Sequence, residues 1–184
     1  MVPEAPLEKT EHGLVPKGDG WFVLNMRDAE WRHVDGRAAV CVVGDDFEGW
    51  RHFDQLGVNP FVLAPGEPMA LYHREADQEG FLVVSGEAVL IIEGEERPLR
   101  AWDFVHCPPH TKHVIVGAGS GPCVVIAVGA REHADGPNWI GFPADDAAKR
   151  HGASVEEDTT DPDVAYGPVP GRQPTAYREG WLPD

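Results

Sequence analysis

GEPMALYHREADQEGFLVVSGEAVLIIEGEERPLRAWDFVHCPPHTKHVIVG, residues 66–117, is the stretch whose pattern decides the architecture. Within it, short apolar runs follow one another at turn-length intervals: MALYH (69–73), FLVVS (81–85), AVLIIE (88–93), DFVHC (103–107) and HVIV (113–116). The runs are rich in Val and Ile and separated by turn formers such as GE and EGEE, which is strand chemistry. The same texture extends outward, to WFVLNM (21–26), AAVCVV (38–43) and PFVLAP (60–65) on one side and CVVIAVG (123–129) on the other. No helical stretch of ten or more residues intervenes, so the pattern predicts an all-β sandwich or barrel and not a parallel α/β sheet.

Beyond these runs the texture changes. Residues 1–20 carry three prolines and three glycines with little apolar periodicity and read as an N-terminal arm, leaving 21–130 as the β-barrel. Residues 131–184 form an acidic, Pro-rich C-terminal extension. In it, PADDAAKRH (143–151) has acids early and cations late, as the helix dipole favours, and predicts a short helix starting at or near Pro143. Tyr166, Tyr177, Trp181 and Leu182 are more apolar surface than a solvated tail needs, so the extension is expected to be partly pinned, on the barrel or on a second subunit.

The chain of 184 residues has a formal net charge of −16. That excess of acids excludes neutralising a run of phosphates or docking on an anionic bilayer, so the expectation is no nucleic acid and no membrane, with a small molecule as partner. No apolar run reaches the roughly 18–20 residues of a membrane span. MVPEAPLEKTEHG has neither a basic nor an apolar leader region, which gives the expectation of a cytoplasmic protein. Cys41, Cys107 and Cys123 lack CxxC spacing, lie in apolar runs and read as buried thiols.

His73 and Glu75 alternate along one strand and so share a face, Glu79 opens the next strand, and His113 opens HVIV after a Pro-Pro turn. Imidazoles and carboxylates pointing inward from neighbouring strands suit a first-row divalent ion, with Fe, Mn, Ni, Zn and Cu all chemically possible. His106 and His110 are two further imidazoles near His113; His106 is expected on the outer strand face and His110 in a turn. Met69, Leu71, Phe81, Val83, Phe104 and Ile115 are the expected inward lining, with Tyr72 and Trp102 at the rim.

These residues resemble the cupin family. Its first motif, G-x5-H-x-H-x3,4-E-x6-G, is matched by Gly66, His73 one residue late, Glu75 in the place of the second His, Glu79 and Gly86. Its second motif, G-x5,7-P-x-G-x2-H-x3-N, is matched by Pro108 and His113, with Trp102, His110 and Gly117 in place of the first Gly, second Gly and Asn. The spacer, residues 87–101, is as short as in small bacterial single-domain cupins.

The resemblance implies a double-stranded β-helix, or jelly-roll, barrel with His73, Glu79 and His113 as metal ligands and Glu75 as a fourth oxygen ligand or a catalytic base. Two imidazoles and two carboxylates favour Fe(II), Mn(II) or Zn(II) over soft Cu(I), with Ni also possible. It also implies a metal-dependent enzyme on a small organic molecule, an oxygenase, isomerase or lyase; the alternative is a non-catalytic barrel that binds a small ligand with a structural metal or none. Cupins usually pair by adding an N-terminal strand to a neighbour's sheet, so a homodimer is expected, with WFVLNM as the candidate strand.

Overall fold

The computed structural model describes residues 1–41, 43, 53–134 and 136–184. Its strands are β1 (Leu7–Lys9), β2 (Leu14–Pro16), β3 (Glu30–Val34), β4 (Arg37–Val40), β5 (Leu56–Leu63), β6 (Arg74–Glu75), β7 (Glu79–Ser85), β8 (Glu87–Ile92), β9 (Glu95–Arg100), β10 (Phe104–Cys107), β11 (His113–Ala118), β12 (Cys123–Ala130), β13 (Ile140–Gly141) and β14 (Gln173–Ala176). Two short helices, α1 (Asp146–Arg150) and α2 (Pro162–Tyr166), lie between β13 and β14. Antiparallel pairing gives a seven-stranded sheet, β10-β7-β12-β5-β4-β3-β14, and a three-stranded sheet, β11-β8-β9, with β1-β2 and β13-β6 as small ribbons.

The two larger sheets face each other because their strands alternate. Phe81 and Val83 of β7, Val125 of β12 and Leu63 of β5 meet Leu90 of β8 and Ile115 of β11 in one core cluster, each at most 5% exposed. Val114 and Val116 of β11 and Ile91 of β8 point the other way and are covered by Ala147 and Ala148 of α1. The central strands are therefore apolar on both faces. This is a jelly-roll barrel, mostly β, and among the described residues its helices lie in the C-terminal covering.

Helix α1 begins one turn later than Pro143: the Asp145 side chain caps it by accepting from the Ala148 N–H at 2.9 Å, and Lys149 and Arg150 close the last turn. The aromatics of the extension are seated on the barrel. Trp181 lies 5.2 Å from Trp31 in an edge contact, with Tyr177, Leu182, Leu24 and Met26 packed on the same outer sheet face. Tyr166 packs edge-on against Phe142 at 5.6 Å.

Several expectations need correction. WFVLNM is no strand: Trp21 makes a single bridge to Glu4, while Leu24 and Met26 pack on the outer face of their own sheet. The sheet edge beside β3 is taken by β14, so this segment has a packing role within the chain. MALYH forms no strand among the described residues, its isolated bridge being His73 to His113, and Val42 of the predicted 38–43 run lies outside the described residues. Phe104 is 67% exposed because Val105 and Cys107 take the inward positions of β10. Trp102 is 76% exposed, whereas Tyr72 is buried under α1 and not at a rim. The three cysteines are free and buried, as read.

Candidate metal centre

The site sits where the two sheets open. His73 and His113 face each other across an antiparallel bridge, each donating its backbone N–H to the other's carbonyl, at 3.1 and 2.8 Å. Directly opposed residues put their side chains on one face, and the two rings lie 4.8 Å apart. In β11 the period of two places His113 with Ile115, toward the interior; in β7 it places Glu79 with Phe81. Glu79 thus reaches from one sheet to the imidazoles of the other. Its Oε2 stands 3.4 Å from His113 Nε2.

Both imidazoles are oriented by the backbone. His73 Nδ1 is 2.7 Å from the Leu71 carbonyl and His113 Nδ1 is 3.0 Å from the Thr111 carbonyl. A carbonyl only accepts, so each Nδ1 carries the proton and each Nε2 presents a lone pair, the arrangement that prepares a histidine for metal. His113 Nε2 is buried with no hydrogen-bond partner among the described residues. Donor atoms of His73, Glu79 and His113 all lie within 4.8 Å of one another, so the three could hold a metal ion. Glu75 stands to the side, its Oε1 3.8 Å from His73 Nε2 and outside that group.

The electrostatics of the site suit a cation. Burial, and then the neighbouring His113, hold His73 down to about 3, and burial also lowers His113. Burial followed by the charge of Glu75 pushes Glu79 up to about 8. Glu75 is pushed up to about 7 by burial and the charge of Asp77, with Arg131 acting against them. Neutral imidazoles and reluctant carboxylates in one buried spot are what a divalent cation would relieve.

A cavity of about 440 Å³ opens beside these groups, lined by His73, Glu75 and Glu79 together with Asn59, Phe61 and Met69. Its space has a sequence cause: Gly57 of β5 stands opposite Gly129 of β12, so neither strand fills that end of the barrel. A Cβ at Gly57 would come within 2.9 Å of the Arg131 guanidinium at the cavity wall. Asn59, with its Oδ1 buried and unpaired among the described residues, and Arg131 escaped the sequence reading. An Asn at an inward position of an otherwise apolar strand was the available signal, since strands disfavour Asn. His106 and His110 are exposed and stand apart from the trio; His110 Nδ1 is 3.5 Å from Arg74. Of the expected lining, Met69 and Phe81 reach the cavity, Val83 and Ile115 sit deeper in the core, and Leu71 packs outward on Phe142.

Residues 60–129 match the family model described as Cupin domain. This stretch of the barrel is a cupin domain. In its second motif Trp102 and His110 replace glycines yet keep the left-handed backbone, with φ of 74° and 69°, so the turn geometry outlasts the residue that makes it easy. Gly117, in place of the motif Asn, lies so close to Ala64 that a Cβ would meet the Ala64 carbonyl oxygen at 2.2 Å.

Among solved structures, the chain is similar to an uncharacterized conserved protein with a double-stranded β-helix domain from Klebsiella pneumoniae, at 22% identity over 61% of this chain and 91% of that one, TM-score 0.51. An RmlC-like cupin from Shewanella frigidimarina matches at 20% identity over 61% of this chain and 92% of that one, TM-score 0.50. A sugar phosphate isomerase from a cupin superfamily of Silicibacter pomeroyi shares 26% identity over 51% of this chain, TM-score 0.44, and the chain spans 59% of that protein's length. No curated protein matches. Among the described residues, no helix is long and apolar enough to cross a membrane.

Proposed function

We propose that this cupin is a divalent-metal-dependent enzyme acting on a small organic molecule in the barrel-mouth cavity. The observation that carries the reading is the convergence of His73, Glu79 and His113 donors within 4.8 Å, two of them, His73 and Glu79, lining a cavity of about 440 Å³. Three protein donors leave coordination positions for substrate, as catalytic rather than structural sites do. Two imidazoles and one carboxylate suit Fe(II) or Mn(II) first and Zn(II) or Ni(II) after them, and such an ion supplies Lewis-acid polarisation of a carbonyl or carboxylate.

The chain's own residues supply the rest. Glu75, beside the trio and facing the cavity, is the base that takes a proton from the substrate carbon or hydroxyl and returns it. Asn59 Oδ1, a buried acceptor, takes a hydrogen bond from a substrate hydroxyl, and Arg131 faces an anionic group at the outer end. Phe61, Met69 and Phe81 form an apolar floor that keeps bulk water from the reacting end. Proton transfer by a carboxylate places the chemistry in the isomerase or lyase class. The two-His, one-carboxylate set favours an oxygenase as a second reading, because that set with open positions is the iron(II) oxygenase arrangement.

The test is deuterium incorporation from D2O into a panel of small hydroxy and keto acids, followed by mass spectrometry with Mn(II)- or Fe(II)-loaded protein. Metal-dependent exchange that disappears in Glu75→Gln while the metal is retained supports the proposal. Oxygen uptake without exchange moves the assignment to the oxygenase. Stoichiometric metal with neither activity leaves a ligand-binding barrel and overturns catalysis.

A further inference from the structure

The wall of the barrel mouth is graded along two strands. β5 and β12 pair in register, and the side chains they turn inward shrink step by step from core to rim: Phe61 stands opposite Val125, Asn59 opposite Ala127, and Gly57 opposite Gly129. Every second residue of a strand faces the same way, so these ladder pairs form one side of the cavity of about 440 Å³. Phe61, Asn59, Ala127 and the two glycines line it, above the fully buried Val125. Trp139, whose carbonyl accepts the Ala76 N–H at 2.7 Å, lines the cavity beside β6.

A glycine inside a strand weakens it, so its presence calls for a physical reason. The two usual reasons do not apply at Gly129. Its φ lies outside the left-handed region, unlike that of Gly86 at 79°. A Cβ built on it would meet Glu79 Cγ at 3.8 Å, an ordinary contact, and no other heavy atom of the described residues within 4 Å. An alanine would therefore fit the strand, and what its methyl group would fill is the cavity. Gly57 has a different reason: it seats the Arg131 guanidinium, which also donates to the Phe53 carbonyl at 3.0 Å. Gly129 stands between the two, opposite Glu79 on one side and Gly57 on the other, and keeps a slot open there.

We propose that Gly129, with Ala127 beneath it, is a specificity determinant of the barrel-mouth site: the slot takes the unbranched aliphatic chain of a small oxygenated acid whose oxygens lie toward His73 and Glu79. The inference rests on the metal-centre reading for the oxygen end and on the graded wall for the chain. The methyl of Ala127, the bare backbone of Gly129 and the rings of Phe61 and Trp139 offer a slender apolar surface, which favours methylene groups. A branch on the chain would need the space that the Ala127 methyl occupies.

The experiment is isothermal titration of the full chain, Mn(II)-loaded and metal-free, with pyruvate, 2-oxobutanoate, 2-oxopentanoate and the branched 3-methyl-2-oxobutanoate in separate runs, metal content being measured on each sample. In wild type, affinity is expected to rise about fourfold for each added methylene and to fall for the branched acid. Gly129→Ala erases the gain, weakening 2-oxopentanoate about tenfold while pyruvate stays within about twofold and metal content is unchanged. Ala127→Gly, which widens the slot by one methyl and improves binding of the branched acid, carries the comparison where Gly129→Ala does not fold. No saturable binding of any of the four acids overturns the proposal, as does a wild type that binds all four alike, or a Gly129→Ala variant that weakens pyruvate as much as 2-oxopentanoate. Chain-length selection that Gly129→Ala removes, found in protein holding only traces of Mn(II), supports the slot and overturns the metal centre instead.

Discussion

Two histidine–carboxylate pairs flank the barrel mouth, and they titrate in opposite directions. His113 and Glu79 stand 3.4 Å apart with side chains 0% and 12% exposed; His133 and Asp77 stand 2.6 Å apart, with the histidine side chain 58% exposed. Burial lowers His113 and pushes Glu79 up to about 8, so the inner pair resists forming two charges. In the outer pair the Asp77 hydrogen bond raises His133; burial alone would raise Asp77, but its bonds from the His133 ring and backbone outweigh that and lower it. The same residue types are an ion pair in one place and two neutral donors in the other. Solvation decides: the inner pair belongs to a buried trio of donors, whereas the outer pair, which with Glu132 also brings three donors together, is largely exposed at His133 and straps residues 131–134 to the loop before β7.

The strongest way to break the contrast is to let water in. Phe81 is 1% exposed and its ring lies 5.1 Å from that of His113. Phe81→Ala is expected to cost about 3–5 kcal/mol of stability, read as a fall in the denaturation midpoint, and to raise the His113 pKa toward its ordinary value, read by NMR titration. Next in size, Glu79→Gln keeps the shape and removes the anionic donor; metal affinity is expected to fall about a hundredfold, measured by competition with a chelator dye, with stability little changed in metal-free protein.

The smallest effect belongs to the outer pair. Asp77, with a depressed pKa, adds stability that is present above its unfolded value near 3.9 and lost as pH falls through the lower folded value. His133, with a raised pKa, adds stability that is present below about 6.5 and lost as pH rises through the higher folded value. The strap is therefore strongest between roughly pH 4 and 6.5. Asp77→Asn is expected to lower Tm by a few degrees in that window, and the difference is expected to shrink above it, where His133 is neutral, without vanishing, because the Asp77 carboxylate still accepts the His133 N–H. Thermal scans at pH 5.5 and 9 check this.

How much of this was legible in the chain follows from where each signal lies. FLVVS, AVLIIE, HVIV and CVVIAVG carry their own period, and β7, β8, β11 and β12 follow it. The sequence EERPLR forms β9 but is exposed at every position except Leu99, so its apolar pattern is nearly blank and EGEE reads as a turn. EWRHV and QPTA form β3 and β14 through long-range pairing that local pattern does not encode. WFVLNM misleads in the other direction, because its apolar side chains cover a sheet without joining it. At the site, spacing made His73, Glu75, Glu79 and His113 candidates, and it was the resemblance to cupin motifs that singled out His73, Glu79 and His113 as ligands. That His73 lies directly opposite His113 is a matter of register, and the approach of Asn59 and Arg131 from β5 and the end of β12 is a matter of topology.

The most direct measurement is metal content by inductively coupled plasma mass spectrometry on tag-free wild type, His113→Ala and His133→Ala after reconstitution with Fe(II), Mn(II) or Zn(II) and desalting. The buried pair as metal centre predicts close to one ion per chain in wild type and His133→Ala, and only traces in His113→Ala. Metal retained in His113→Ala, or lost in His133→Ala, would contradict it.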